Sequence, residues 1–186
     1  MALGARLRCI LATMGTAARL ADIGTDHALL PIAAVREGRA ASAVATDLRP
    51  EPLAAARRAV VRAGLEGRIE LRLGYGLRPL RPGEADVVVI AGLHGDTIAH
   101  ILRDRPGVLR PGTRLLLMPV RRAGELRRCL RCWGRESSGA GDPGAPGLEL
   151  RAERLAREGR SLQEAAAEVE ALRDQFHVVF AVDTLE

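Results

Sequence analysis

Asp22-Ile23-Gly24-Thr25-Asp26-His27 is the stretch that most constrains how this chain can fold. The apolar run Arg19–Ile23 leads into it and Ala28–Ala34 follows at once, so a strand turns through one glycine and two carboxylates into a helix. At the carboxyl end of the first strand of an α/β domain, such a turn is where small ligands bind. Gly24 lets the backbone turn sharply beside a ligand, and Asp22 can accept hydrogen bonds from a cationic amine.

A turn that cradles a pyrophosphate needs G-x-G-x-x-G to bring backbone N–H groups against the phosphates. Here one glycine stands between two acids, which suits a ligand with a positive charge and no phosphate. S-adenosylmethionine meets that description.

The rest of the chain alternates short apolar runs with Ala/Leu/Arg-rich helical stretches, the pattern of βαβ units. Strands are expected over Arg19–Ile23, Ala43–Thr46, Ile69–Leu73, Asp86–Ala91 and Arg114–Met118, with helices over Leu29–Glu37, Glu51–Ala63, Thr97–Arg103 and Ala123–Trp133. The near-continuous apolar character of the strands suits a parallel sheet buried on both faces. An amphipathic helix is expected within residues 1–17, where Leu3, Leu7, Ile10, Leu11 and Met14 recur at helical spacing; the absence of acids there also resembles a transit peptide. Residues 134–147 read as a Gly/Pro/Ser-rich loop and Leu148–Leu155 as a strand. A capping box at Ser161 and Glu164 opens a helical insertion over 161–174, and Phe176–Val182 closes the chain as a last strand. The expectation is one domain, residues 1–186, with a Rossmann-like, seven-stranded, mostly parallel sheet and helices on both faces.

All 28 basic residues are Arg, a bias that a GC-rich genome also produces. Their distribution says more: residues 103–135 hold ten Arg against Asp104 and Glu125, a local balance of +8. Such a block reads as a phosphate-facing surface or as a solvated helix face. Cys9, Cys129 and Cys132 form no secretory framework, and the lone C-x-x-C at 129–132 lacks the second pair that a zinc site needs. A cytoplasmic protein without metal is expected, and no apolar run reaches membrane-spanning length.

Three further turns support the first. Asp47 ends the second strand, 25 residues after Asp22, where an acid in such folds holds ribose hydroxyls. Gly74-Tyr75-Gly76 ends the third strand, and Ala91-Gly92-Leu93-His94-Gly95 ends the fourth. All four turns would line one edge of a parallel sheet.

Taken in order, the motifs resemble those of the bacterial tRNA (adenine-22, N1)-methyltransferases. The matching residues are Asp22 to His27 with Leu30-Pro31, then Ala45-Thr46-Asp47 with Pro52-Leu53 and Ala56, then Arg72-Leu73-Gly74-x-Gly76-Leu77, then Ile90-Ala91-Gly92 and Ile101-Leu102. The similarity runs from about Arg6 to Arg127, with Asp-Ile-Gly-Thr-Asp-His and its Leu-Pro the most specific part. The resemblance implies a class I methyltransferase fold, S-adenosyl-L-methionine as cofactor and tRNA as partner. It implies cofactor contacts from Asp22, Gly24, Thr25, Asp47, Leu48, Gly74, Tyr75, Gly76, Ala91, Gly92 and Leu93. Asp26, His27 and His94 are the catalytic candidates, and Arg121, Arg122, Arg127 and Arg128 the candidates for holding tRNA.

Four departures from the family pattern stand out. Tyr75 replaces the family's Asp between two glycines, and stacking of its ring on the cofactor's adenine is the expected substitute. Leu93-His94 stands in a Gly-Met-Gly-Gly segment, and Met118-Pro119-Val120 where the family tends to show Gln-Pro-Asn. A counterpart of the family's C-terminal helical extension is not expected after the last strand. Methylation of another substrate and a non-catalytic cofactor- or RNA-binding role are therefore the alternative readings. Capping of the following helix is likewise the structural alternative for Asp26.

Overall fold

The computed structural model describes residues 3–110, 112–136, 147–150 and 180–185. The elements alternate as α1 (Ala5–Thr13), β1 (Ala17–Ile23), α2 (Leu29–Arg36), β2 (Ala40–Asp47), α3 (Pro50–Ala63), β3 (Ile69–Leu73), β4 (Val87–Ala91), α4 (Gly95–Asp104), β5 (Arg114–Met118) and α5 (Ala123–Glu136). Two short strands follow, β6 (Gly147–Leu150) and β7 (Phe180–Leu185). In space the order is β3-β2-β1-β4-β5-β7-β6. β1 to β5 pair in parallel, and β7 pairs antiparallel with both β5 and β6. The helix expected over 161–174 and most of the loop expected over 134–147 lie outside the described residues.

Period-two alternation divides the core between the two faces of the sheet. Ala21, Ile23, Val44, Val88, Ile90, Leu115 and Leu117 pack on one side with Ile98, Leu102, Leu126 and Leu130 from α4 and α5. Leu20, Ala43, Ala45, Val87, Val89, Leu116 and Met118 face the other side, against Ile10 and Met14 of α1, Leu30 and Ala34 of α2, and Ala56 and Val60 of α3. Val87 to Ile90 are each at most 2% exposed. Burial of a side chain of that size stabilises by roughly 1.5–3 kcal/mol, so an all-aliphatic core is sufficient without aromatic bulk.

Element ends differ from the expected ones for physical reasons. β2 begins at Ala40 because Ala40 and Ser42 pair with Ala17 and Arg19 of β1, a partnership invisible to local patterning. The N-terminal helix is shorter than residues 1–17, running over Ala5–Thr13, because β1 already starts at Ala17. α3 opens on Pro50, where a missing N–H costs nothing, and ends at Gly64 in the left-handed region at φ +66°. α4 starts two residues earlier than expected, at Gly95, which makes His94 its N-cap residue.

Strand order reverses between β1 and β4: the chain steps outward through β2 and β3, then returns to build β4 and β5 on the opposite side. The loops after β1 and β4 consequently diverge and leave a crevice between them, the topological switch point of an open parallel sheet.

Candidate cofactor-binding site

A cavity of about 490 Å³ occupies that crevice, lined by Asp22, Gly24, Thr25, Asp26, His27, Leu29, Leu30, Ala91, Gly92 and Met118, and by Gly4 to Leu7 at the start of α1. Asp22 is the last polar residue of β1 and lies on the same sheet face as Leu20, so its carboxylate enters the cavity at only 7% exposure. The Thr25 hydroxyl donates to Asp22 Oδ2 at 2.7 Å. Burial is the main influence on this carboxylate and pushes its pKa up to about 6; the Thr25 hydrogen bond acts downward and the nearby Asp47 charge upward. The Asp22 carboxylate is thus a costly anion until a cation reaches it.

The turn is held rigidly. Gly24 and Thr25 N–H groups both donate to the Thr46 carbonyl, at 2.8 and 2.9 Å, which fastens the end of β1 to the end of β2. Gly24 sits at φ +76°, and two non-glycine residues share the left-handed region, Asp26 at +52° and Ala28 at +55°. Backbone strain of this kind costs about 1–3 kcal/mol per residue and persists where surrounding contacts enforce it, as at ligand sites. Ala28 is the N-cap of α2 and makes no side-chain cap. The capping role considered for Asp26 is therefore not the one adopted: its carboxylate lies 2.8 Å from His27 Nδ1, and both side chains are exposed at the cavity mouth.

Asp47 reinforces the turn from the next strand. Its Oδ1 accepts from the Arg49 N–H at 2.9 Å and its Oδ2 from the Asp26 N–H at 3.4 Å, while its carbonyl accepts from the Gly74 N–H. Each carboxylate oxygen keeps a lone pair for a ligand hydroxyl. On the other side of the crevice, the loops after β4 and β5 are laced together by Gly92 N–H to Met118 O, Val120 N–H to Leu93 O and Gly95 N–H to Arg121 O. A side chain at Gly95 would fall 2.2 Å from the Arg122 carbonyl oxygen, so this close approach requires glycine.

Of the residues read from the sequence, Asp22, Gly24, Thr25, Asp26, His27, Ala91 and Gly92 line the cavity. Asp47 is not in the lining but is bonded to the amide of Asp26, which is. Leu48, Gly74, Tyr75, Gly76, Leu93 and His94 do not line it; Leu48 is 60% exposed beyond the end of β2. The structure places Tyr75, expected to stack on a cofactor, outside this lining. Its ring packs on the α4 side of the sheet, 5.9 Å from the His100 ring and under the Arg78 guanidinium. Gly76, at φ +53° and against Ile101, follows it in a conformation and a space that favour glycine.

Arg121 and Arg128 are exposed on the loop and helix after β5, and Arg127 is half-buried. Arg122, in the left-handed region at φ +57°, is committed to Asp96 at 2.8 Å. The residue that sequence reasoning missed is Arg6, which lines the cavity from the first turn of α1. Only its basic character was legible; nothing local signals that α1 folds over the end of β1. Among the described residues no three His, Cys, Asp or Glu side chains converge as a metal site, and no helix is long and apolar enough to cross a membrane.

The sheet order, the switch-point cavity and the acids ending β1 and β2 define a Rossmann-like methyltransferase fold. The chain belongs to the methyltransferase domain family, whose sequence model matches residues 3–134. It is 39% identical over 128 residues to the tRNA (adenine(22)-N(1))-methyltransferase of Bacillus subtilis, covering 69% of this chain and 54% of that protein. The crystal structure of the B. subtilis M1A22 tRNA methyltransferase TrmK superposes with a TM-score of 0.68 at 38% identity, over 70% of this chain and 56% of that one. M. capricolum TrmK, solved with the natural cofactor product S-adenosyl-homocysteine, gives a TM-score of 0.57 at 31% identity, over 63% and 52% of the two chains. The chain therefore spans about half the length of these relatives.

Proposed function

We propose that this chain is an S-adenosylmethionine-dependent methyltransferase acting on N1 of an adenine in tRNA, in the cytoplasm. The observation that carries the reading is the buried Asp22 carboxylate, bonded only through Oδ2 to Thr25, in a cavity of about 490 Å³ at the switch point. A cavity of that size accepts a nucleoside with an amino-acid tail. The donor set fits as well: Asp22 is matched to an ammonium group, and Asp47, with a free lone pair on each oxygen, to ribose hydroxyls. When bound, the cofactor supplies an electrophilic methyl group.

Adenine N1 carries a free lone pair at neutral pH, so the chain needs to position the base rather than deprotonate it. Its methylation leaves a cation, which the exposed Asp26 carboxylate at the cavity mouth stabilises. His27, paired with Asp26 through Nδ1, fixes that carboxylate's orientation. His94, exposed at the N-cap of α4 and outside the cavity lining, is a candidate for contacting the incoming base. N1 lies on the Watson–Crick edge, so the target nucleotide is unpaired or flipped out before reaction. Arg121, Arg122, Arg127 and Arg128 then hold the RNA backbone, Arg122 while also paired with Asp96 and Arg128 while beside Glu125.

The test has two stages. Melting with saturating S-adenosylmethionine or S-adenosylhomocysteine should stabilise the protein by about 2.7 kcal/mol at a hundredfold excess over Kd. No shift with either rejects the enzyme reading. Incubation with labelled cofactor and unmodified tRNA, followed by mapping, should find 1-methyladenosine; label at another position, or on a ribosomal protein instead, rejects the substrate. Neutralising Arg121, Arg122, Arg127 and Arg128 should flatten the salt dependence of tRNA binding.

A further inference from the structure

The connection from β3 to β4 runs through turns and bends over residues 74–86, and its Leu77 and Leu80 share a core cluster with Ile101 and Leu102 of α4. Two rings and a guanidinium meet where this connection lies on the helix. The Arg78 guanidinium sits over the Tyr75 ring, 5.6 Å from its centroid, and the His100 ring stands 5.9 Å from Tyr75 at 58°. Arg78 Nε and Nη2 both donate to Asp104, each at 2.8 Å, a two-bond fork that fixes the guanidinium in place.

This arrangement engages one face and one edge of Arg78, yet leaves its side chain 59% exposed. The exposed area therefore belongs to the face turned away from Tyr75 and to the remaining edge. Asp104 already offsets the charge, so a phosphate gains little at Arg78. A planar, weakly hydrated guanidinium carried on an aromatic ring does offer a stacking surface, and unpaired RNA bases stack on such planes. The surroundings are cationic as well: Arg81 in the same connection and Arg103 of α4 are exposed, and their side chains make no ion pair or hydrogen bond among the described residues. His100 lies six residues beyond His94, about 9 Å along the axis of α4 at 1.5 Å per residue, on the helix that starts at the loop after β4.

We propose that the Arg78 guanidinium, carried on Tyr75 and fixed by Asp104, is a stacking platform for an unpaired RNA base flanking the target nucleotide, with Arg81 and Arg103 on the adjoining phosphates. The proposal rests on the tRNA reading above and deepens it, giving that partner a point of contact separate from the arginines after β5. Drawing a target base out of its stack uncovers the neighbouring base, and a protein plane that replaces the lost stack offsets part of that cost. Arg78 positions the RNA and takes no part in methyl transfer.

The test pairs protein variants with tRNA lacking single bases, and reads affinity for the full chain by fluorescence anisotropy at fixed salt. With the wild-type protein, an abasic site at one of the two nucleotides on either side of the methylated adenine should weaken binding about tenfold. Arg78→Lys keeps the charge and can still pair with Asp104, but loses the plane. It should bind intact tRNA about tenfold more weakly, bind that abasic tRNA no more weakly than the wild type does, and keep its melting temperature and its affinity for S-adenosylmethionine. Arg81→Gln with Arg103→Gln should lower the salt slope by about one to two and leave the abasic penalty in place. The absence of a penalty at every flanking position with the wild-type protein would overturn the platform without reliance on any variant. Full affinity of Arg78→Lys for intact tRNA, or losses that multiply in the Arg78→Lys and abasic combination, would also overturn it. A lower melting temperature together with weaker S-adenosylmethionine binding would make Arg78 a clamp between the connection and α4, and would overturn it too. A wild-type protein that neither binds nor methylates tRNA would instead bring down the tRNA reading itself, and the platform with it.

Discussion

The Thr25 hydroxyl donates to Asp22 Oδ2 at 2.7 Å, bridging the turn from the first helical approach back to the end of β1. Among the described residues this is the one side-chain hydrogen bond to a buried carboxylate whose pKa is about 6 rather than its ordinary 3.8. The native state therefore binds more protons than the unfolded state between those two values.

It follows that ionised Asp22 destabilises the ligand-free protein. Stability falls as pH rises from about 4 to about 6 and stays low above that, by an amount of roughly 3 kcal/mol from this group. Asp22→Asn should melt higher than the wild type at pH 8, with the difference vanishing near pH 4, and should bind S-adenosylmethionine at least tenfold more weakly. Melting curves across pH, with and without ligand, check both signs. A lower melting temperature for the variant at pH 8 would contradict the burial argument.

Thr46 has a buried hydroxyl with no hydrogen-bond partner among the described residues, while its carbonyl anchors Gly24 and Thr25. Thr46→Val keeps the shape and the carbonyl and removes the unsatisfied group. It should stabilise by about 1 kcal/mol in urea denaturation and leave ligand affinity unchanged.

Gly95 and Gly92 separate two reasons for being glycine. Gly92 is at φ +80° with open space where a side chain would go, whereas Gly95 has no unusual φ but lies against the Arg122 carbonyl. Gly92→Ala should cost about 1–2 kcal/mol in backbone strain. Gly95→Ala should cost about 3 kcal/mol or more, because the laced loops after β4 and β5 must part. Chemical denaturation ranks them; the reverse order would mean that the loops yield easily.

Arg72 is gripped by Glu84 at 2.6 and 2.8 Å and by Glu70, and also donates to the Pro79 carbonyl. Hydrogen bonding to Arg72 is the main reason that the pKa of Glu84, 8% exposed, is held down at about 2. This stabilisation is complete above pH 4.5 and is lost as pH falls toward about 2. Glu84→Gln should destabilise by about 2 kcal/mol at pH 7 and by progressively less in acid, read from melts between pH 7 and pH 3.

The strand-turn-helix at Asp22–Leu30 was legible because its information is local: one glycine, two acids and flanking apolar runs define both backbone and chemistry. The parallel strands were legible for the same reason, since burial on both faces demands continuous apolar residues. Tyr75 was not. Its place between two glycines put it at the right strand end, but nothing local signals that its ring meets His100 and Arg78. Arg6 was missed for the converse reason: its place in the chain says only that it is a basic residue in a helix, and it is the fold that brings it to the cavity that Asp22 and Asp26 also line.

By itself, then, the sequence determined the βα alternation, the acids at the ends of β1 and β2, and the absence of a pyrophosphate cradle, all consequences of residue type within a few positions. Tertiary structure alone decided which of those turns share a cavity. Gly24 and Thr25 hang from Thr46, and α1 folds over the end of β1. Such contacts join residues far apart in the chain, and the burial that raises the pKa of Asp22 arises only when they form.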